Sequence, residues 1–173
     1  MNPAHPKMIF VAGTDTSVGK TTVTGLLGRL LIKNDHSVVT QKWVQTGCSE
    51  FSLSDAAFHL KIMNRGKNDI KGLKDYILPY MFRTPSSPHL ASSIENKKIS
   101  AAKIVKSFKV LSKRFDFVIA EGSGGVLVPY NKKDLMIDIV KKLDLAVLVV
   151  AQNKLGAINH TLLAIEALKK KDI

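Results

Sequence analysis

The chain has one cysteine, Cys48, and therefore cannot close a disulfide within itself. A single thiol also argues against a structural zinc site. No apolar run is long enough to cross a bilayer. The richest, Leu145-Ala146-Val147-Leu148-Val149-Val150-Ala151, falls far short of the roughly 20 residues that a membrane helix needs. The opening Met1-Asn2-Pro3-Ala4-His5-Pro6-Lys7 carries no apolar segment of the signal-peptide kind. Internal repeats and low-complexity segments are missing too. Arginine is scarce: Arg29, Arg65, Arg83 and Arg114 are the full set, so the net charge of +12 is carried mostly by lysine. Those lysines are spread along the chain, on what read as solvated helix faces such as Lys103, Lys106, Lys109 and Lys113. No RNA- or DNA-binding signature accompanies them, so a lysine-rich surface is expected rather than a nucleic-acid binder. The excess would still help to draw in an anionic nucleotide. These absences favour a cytoplasmic enzyme with neither a nucleic-acid nor a membrane partner.

What is present is ordinary for a globular protein: 173 residues, 45% apolar and 23% charged, enough for one domain with a sizeable core and hardly enough for two. The apolar pattern alternates between two periods. Met8–Ala12 is a short apolar run ended by Gly13 and reads as a buried strand. From Lys20 the spacing changes, and Val23, Leu26, Leu27, Leu30 and Leu31 form one stripe of a helix. Val38–Lys42 reads as a second strand, and Ser54-Asp55 as the start of a helix with Ala57, Leu60 and Ile62 following. Residues 64–96 are irregular, punctuated by Pro79, Pro85 and Pro88. Ser100 is placed to cap a helix with Ile104, Val105, Phe108 and Leu111 facing inward. Phe117–Ala120 reads as a third buried strand, Val126–Pro129 as a short edge segment, and 135–142 as a helix. The most apolar strand, Leu145–Ala151, is followed by a last helix over 157–170. Strands buried on both faces and alternating with helices predict a doubly wound α/β fold with a mostly parallel sheet.

The chemistry concentrates at strand ends. Gly13-Thr14-Asp15-Thr16-Ser17-Val18-Gly19-Lys20-Thr21 lies between a strand and an amphipathic helix, the setting a phosphate-binding loop needs. Gly19 lets the backbone approach an anion, and the N–H groups at the helix start point at phosphates. Lys20 would neutralise β/γ-phosphate charge, and the Thr21 hydroxyl would bind Mg²⁺. Five residues separate Gly13 from Gly19, against four in the common pattern, and Thr14 stands where a glycine is usual. After the third strand comes Glu121-Gly122-Ser123-Gly124-Gly125, a carboxylate and a glycine-rich turn where parallel sheets bind ligands. Glu121 is a candidate second Mg²⁺ ligand, because that ion prefers hard oxygen donors. At the end of the second strand stands Gln41-Lys42-Trp43-Val44-Gln45-Thr46-Gly47, whose Lys42 would face the same crevice and could hold developing negative charge.

These elements occur in order with Ser54-Asp55-Ala56, Pro85-Ser86-Ser87-Pro88-His89-Leu90-Ala91 and Leu155-Gly156-Ala157-Ile158-Asn159-His160-Thr161. Together they resemble the dethiobiotin synthetases, P-loop enzymes of biotin synthesis, and the match runs from Met8 to about Leu168. The deviant spacing of the loop is itself the Gly-Thr-Asp-Thr start of that family's pattern. The resemblance implies ATP-dependent ureido ring closure on 7,8-diaminononanoate and CO₂, through a carbamate and its mixed anhydride with phosphate. It implies that Thr21, Asp55 and Glu121 bind Mg²⁺. Ser17, Val18, Gly19, Lys20, Thr21 and Thr22 would cradle the ATP phosphates, with Gly122, Ser123 and Gly124 beside the nucleotide. Lys42 would be the catalytic lysine, aided by Lys20, with Thr16 and Thr46 on the substrate. Gly156, Ala157, Ile158 and Asn159 open the last helix and would seat the substrate carboxylate across a homodimer interface.

Two departures stand out. Trp43 follows the catalytic lysine where the family usually has proline, and its bulk is expected to alter the strand end. The family also continues for one or two strand–helix units that hold the nucleotide base, so the single domain, residues 1–173, is expected to lack its C-terminal units. The alternatives are an amide-forming P-loop synthase of the cobyrinic-acid diamide synthase type and a partitioning-type switch ATPase. The second usually has an early Lys-Gly-Gly in its loop, where this chain has Gly13-Thr14-Asp15. His89, His160 and Trp43 are expected to be structural, and Cys48 an incidental thiol.

Overall fold

The computed structural model describes residues 7–173; residues 1–6, on which the reading of the opening segment mostly falls, lie outside the described residues. Six strands and seven helices follow one another along the chain. They are β1 (Lys7–Gly13), α1 (Lys20–Lys33), β2 (Val38–Lys42), β3 (Val44–Gln45), α2 (Asp55–Ile62), α3 (Lys74–Ile77) and β4 (Tyr80–Met81). Then come α4 (Pro88–Ile94), α5 (Ala101–Ser112), β5 (Phe117–Gly125), α6 (Met136–Leu143), β6 (Ala146–Val150) and α7 (Ala157–Lys169). The main sheet has the order β2-β5-β1-β6 with every pairing parallel, and β3 and β4 make a separate two-stranded parallel pair. No helix of the described residues is long and apolar enough to cross a membrane.

Alternate residues of each strand point to opposite faces, and both faces are covered. Phe10, Ala12, Val39, Val118 and Ala120 join a core completed by Ile104, Phe108 and Leu111 of α5 and by Met136, Ile137 and Val140 of α6. Val11, Val38, Phe117, Ile119 and Val150 form a second cluster, against which Val23, Leu27 and Leu31 of α1 pack. The doubly wound α/β fold expected from the alternating periods is therefore the fold observed.

Four local expectations are corrected. The stripe of α1 is buried only in part: Val23, Leu27 and Leu31 pack on the second cluster, but Leu26 and Leu30 are 51% and 57% exposed, while Thr24, Gly25 and Gly28 are buried. Small residues are needed there because α2 lies close against α1; a Cβ on Gly25 would meet Ile62 Cδ1 at 2.8 Å, and one on Gly28 would meet Met63 Sδ at 2.5 Å. The third strand does not stop at Ala120. As β5 it continues through Gly125, so Glu121-Gly122-Ser123-Gly124-Gly125 is strand rather than turn. Val126–Pro129 is no strand, contributing only an isolated antiparallel bridge between Pro129 and Leu135. The most apolar strand, β6, is at the sheet edge and is not buried on both faces; only Val150 of it is buried.

Trp43 does not disturb the strand end. β2 keeps its register with β5 through Lys42, and the Trp43 N–H donates to the Glu121 carbonyl at 3.3 Å. Its side chain is wholly buried, 4.7 Å from the Phe10 ring, and its Nε1–H donates to Gln41 Oε1 at 2.8 Å. Trp43 is thus a packing residue, as expected. Cys48 is buried too, its thiol directed at the Glu50 carbonyl at 3.0 Å.

Candidate active site

The loop between β1 and α1 leaves the sheet beside β6, where the Thr14 N–H donates to the Val150 carbonyl. Two turns of conformation shape it: Ser17 at φ 58° and Gly19 at φ 101°, both in the left-handed region. For Gly19 that backbone is unstrained, whereas a side chain there would be disfavoured. The amides of the first turn of α1 then have no carbonyl partner one turn back, as at any helix start. They face an open cleft of about 380 Å³. The Lys20 ammonium folds back into its own loop and donates to the Asp15 carbonyl at 2.6 Å. Burial, and then the nearby Lys42 charge, hold the Lys20 pKa below its ordinary value despite three carboxylates in the neighbourhood.

The opposite wall comes from register. Lys42 and Glu121 are paired residues on the parallel strands β2 and β5, so their side chains leave the same face of the sheet. The Lys42 Nζ donates to Glu121 Oε1 at 2.7 Å and to the Gly122 carbonyl at 2.9 Å. Asp55 is added by α2, whose first turn is fixed by the Ser54 hydroxyl accepting from the Ala57 N–H at 3.2 Å. The Asp55 N–H is itself held by Gln45 Oε1 at 2.9 Å. This places Asp55 Oδ2 at 2.7 Å from Lys42 Nζ. The Thr21 hydroxyl reaches over from α1 and donates to Glu121 Oε1 at 3.1 Å. Three oxygens, Glu121 Oε1, Asp55 Oδ2 and the Gly122 carbonyl, thus surround the Lys42 ammonium, and the Thr21 hydroxyl joins them through Glu121 Oε1.

The electrostatics follow from burial. Desolvation works to neutralise Glu121, but the Lys42 charge and the His59 hydrogen bond outweigh it and bring the carboxyl pKa down to about 2. Burial likewise opposes the charge on Lys42, yet the Glu121 and Asp55 carboxylates prevail and raise its pKa above the ordinary value. Both groups are ionised across the neutral range, a buried pair with its hydrogen bonds made.

Most of the residues singled out in the sequence come together here. Thr16, Ser17, Gly19, Lys20, Thr21, Thr22, Lys42, Thr46, Asp55, Glu121, Ser123 and Gly124 line the one cleft, with Val44 and Gln45. Val18 instead packs in the second core cluster. Gly122 turns away as well, and its place must stay bare: a Cβ there would lie 2.6 Å from the Phe10 ring. Gly156, Ala157, Ile158 and Asn159 start α7 outside this cleft. Among the described residues no cluster of three or more His, Cys, Asp or Glu side chains is placed to hold a metal ion.

His59 went unremarked in the sequence, yet its Nε2 is 2.6 Å from Glu121 Oε2 and its ring is completely buried. The signal was the spacing Asp55…His59, one helical turn on α2, which sets both side chains on one face. Gln45 was passed over as part of a strand end, although its amide oxygen orients Asp55.

Comparison with known proteins gives the family. The family described as an AAA domain matches residues 7–173. The ATP-dependent dethiobiotin synthetase BioD 2 of Haemophilus influenzae is 40% identical over 167 residues, covering 96% of this chain and 86% of that protein. The ATP-dependent dethiobiotin synthetase BioD of Chlorobaculum tepidum is also 40% identical, over 96% of this chain and 69% of its own length. That of Methanococcus vannielii is 38% identical, over 96% and 74%. With a phosphate loop facing a lysine–dicarboxylate cluster across one cleft, and with these relatives covered over more than two thirds of their length, the chain belongs to the dethiobiotin synthetase family.

Proposed function

We propose that this protein is an ATP-dependent ring-forming ligase of the cytoplasm that converts 7,8-diaminononanoate and CO₂ to dethiobiotin, as the names of its relatives suggest. The observation that carries the reading is the Lys42 ammonium, held at 2.7 Å from both Glu121 and Asp55 opposite the phosphate loop. One amine of the diamine adds to CO₂, losing a proton to become a carbamate. A carbamate oxygen attacks the γ-phosphorus of ATP and ADP leaves, forming a carbamic–phosphoric anhydride. The second amine then attacks the carbamoyl carbon, the C–O bond to phosphate breaks, and phosphate departs as the amine gives up its proton. The protein adds little covalent chemistry to such a sequence, so positioning and charge stabilisation dominate.

The residues take their parts from their places. The amides of Ser17 to Thr22 receive the phosphates, and Lys20, on release from the Asp15 carbonyl, follows them. Lys42 spends its three donors on Glu121, Gly122 and Asp55. Of these the Asp55 bond is the one open to solvent, so it exchanges when the carbamate arrives. Thr16 and Thr46, at the cleft wall, meet the diamine. Thr21, Asp55 and Glu121 fit Mg²⁺, because Glu121 Oε1 meets the Thr21 hydroxyl and shares the Lys42 ammonium with Asp55 Oδ2, which brings three hard oxygens to one wall of the cleft and leaves the remaining positions to phosphate and water. Bound there, the ion would neutralise charge on the transferring phosphoryl group. The start of α7 offers free amides to the substrate carboxylate from a second subunit; the exposed Leu155, Ile158 and Leu162 around it suit a homodimer contact.

The test is phosphate release from ATP and Mg²⁺, with and without 7,8-diaminononanoate and bicarbonate, with dethiobiotin detected by mass spectrometry. Release that requires the diamine is expected. Hydrolysis indifferent to the diamine would reject the reading in favour of a switch ATPase.

A further inference from the structure

We propose that His59 is a positioning residue, which grips one oxygen of the Glu121 carboxylate so that only the other faces Lys42 and Thr21. The inference rests on the reaction proposed above only for its consequence in turnover; its geometric basis is independent.

The two oxygens of Glu121 have separate duties. Oε1 accepts from Lys42 Nζ at 2.7 Å and from the Thr21 hydroxyl at 3.1 Å, while Oε2 meets His59 Nε2 at 2.6 Å. A carboxylate only accepts, so the Nε2 nitrogen carries the proton and donates it into the bond. Without that partner the carboxylate could turn about its terminal torsion, which is broad and roughly two-fold in glutamate. The carboxylate plane could then swing to other torsions, and the oxygen offered to Lys42 and Thr21 would lose its fixed direction.

Packing does not account for the histidine. His59 has no exposure to solvent, and its Nδ1 has no hydrogen-bond partner among the described residues. A buried polar atom left unpaired is costly, and a half-satisfied polar group is worse for folding than an apolar side chain of like size. The surroundings are apolar enough to take one: its α2 neighbours Ala56 and Leu60 belong to the main core. The ring is therefore retained for the one bond it makes. Its place on α2 also ties that bond to Asp55, so one rigid helix aligns both carboxylates at once. Groups that orient metal or substrate ligands from behind in this way typically carry about 10–100-fold in affinity or activity.

Three variants separate this role from packing. His59→Gln keeps an N–H near the Nε2 position, His59→Asn is polar but too short to reach Oε2, and His59→Leu is apolar. Each is compared with the unaltered protein in kcat for diamine-dependent phosphate release. The dissociation constant of a fluorescent ATP analogue is measured with and without Mg²⁺, and thermal unfolding is followed without ligands. His59→Gln is expected to stay within about threefold of the unaltered protein in kcat, while Asn and Leu lose about 10–100-fold. Asn and Leu should also lose most of the tightening that Mg²⁺ gives to nucleotide binding, with little change in metal-free binding. His59→Leu should unfold later than His59→Asn, because both leave Glu121 Oε2 buried and unpaired while only Leu refills the apolar space, so losses of rate and of Mg²⁺ tightening shared by the two do not track the unfolding temperature.

Full Mg²⁺-dependent tightening in the Asn and Leu variants, or an equal loss in Gln, would overturn the proposal. So would losses that merely follow the unfolding temperature. Should His59→Leu not fold, the Gln and Asn pair decides. If the unaltered protein shows no diamine-dependent release, the proposed reaction fails, while the Mg²⁺–nucleotide measurements still decide the part played by His59.

Discussion

Glu121 is a carboxylate at 1% exposure that stays ionised because Lys42 and His59 more than repay its desolvation. Its pKa of about 2 in the folded chain lies below the ordinary value of 4.5. A depressed carboxyl pKa gives stability that is complete above the unfolded value and is lost as pH falls toward the folded one. In metal-free protein the loss should therefore run from about pH 4.5 down to about pH 2, on the order of 3 kcal/mol at 1.36 per unit. Urea unfolding across that range checks it, and Glu121→Gln should flatten the dependence. Lys42 runs the other way: with a raised pKa, its contribution is present below the ordinary value of 10.5 and fades as pH rises through the folded value. Lys42→Ala should cut kcat by about 10²–10³, the scale of losing a charge-stabilising donor, with nucleotide affinity changed far less. It should also destabilise the metal-free protein by about 3–5 kcal/mol, because Glu121 and Asp55 lose their buried cation. Single-turnover rates, nucleotide titration and urea unfolding of the variant measure these effects; equal losses of rate and affinity would make Lys42 mainly a nucleotide ligand.

Helix α1 shows how an element can be placed correctly and faced only partly right, since Val23, Leu27 and Leu31 pack inward and Leu26 and Leu30 do not. Its leucines at 26 and 30 continue the apolar stripe, but the helix is pressed between the sheet and α2, where there is room only for Thr24, Gly25 and Gly28. Gly25→Val would drive a branched side chain into Ile62 and should cost about 1–3 kcal/mol by overpacking. Leu30→Lys, on the solvent side, should change stability by no more than about 0.5 kcal/mol. A reading from apolar spacing alone predicts the reverse order, so chemical denaturation of the two variants decides between them. The same close packing has a use: it holds α2 at the distance where Asp55 and His59 can reach the sheet.

At the scale of the whole molecule, the residues proposed for function fall in two places. The phosphate loop, Lys42, Asp55 and Glu121 share one cleft, whereas the start of α7 stands apart from it among exposed Leu155, Ile158 and Leu162. If a second subunit brings that helix start to the substrate, Ile158→Glu should convert the dimer to a folded monomer. Ile158 is 79% exposed, so the change costs the monomer little. Sedimentation velocity reads the mass, and the diamine KM should rise while metal-free nucleotide binding is unchanged. The lysine-rich surface, with a net charge of +12, sets a positive field that draws in an anionic nucleotide.

The linear chain is enough to establish the main alternation of strands and helices, the strand–loop–helix setting of the phosphate loop, and the family, though not the short elements β3, α3, β4 and α4. Those rest on local periodicity and on short motifs whose residues are neighbours along the backbone, such as Gly13 to Thr21 and Ser54-Asp55. Pairing across the sheet is another matter. That Lys42 lies opposite Glu121, 79 residues away, depends on the β2–β5 register, and no spacing announces it. Nor does any spacing show that β6 is an edge strand or that the glycine face of α1 is a buried one, because burial depends on which elements become neighbours. His59 is the clearest case. As one residue in an apolar helix it carries only its one-turn spacing from Asp55, and its meaning appears only when α2 folds against the sheet and brings the imidazole to 2.6 Å from the Glu121 carboxylate.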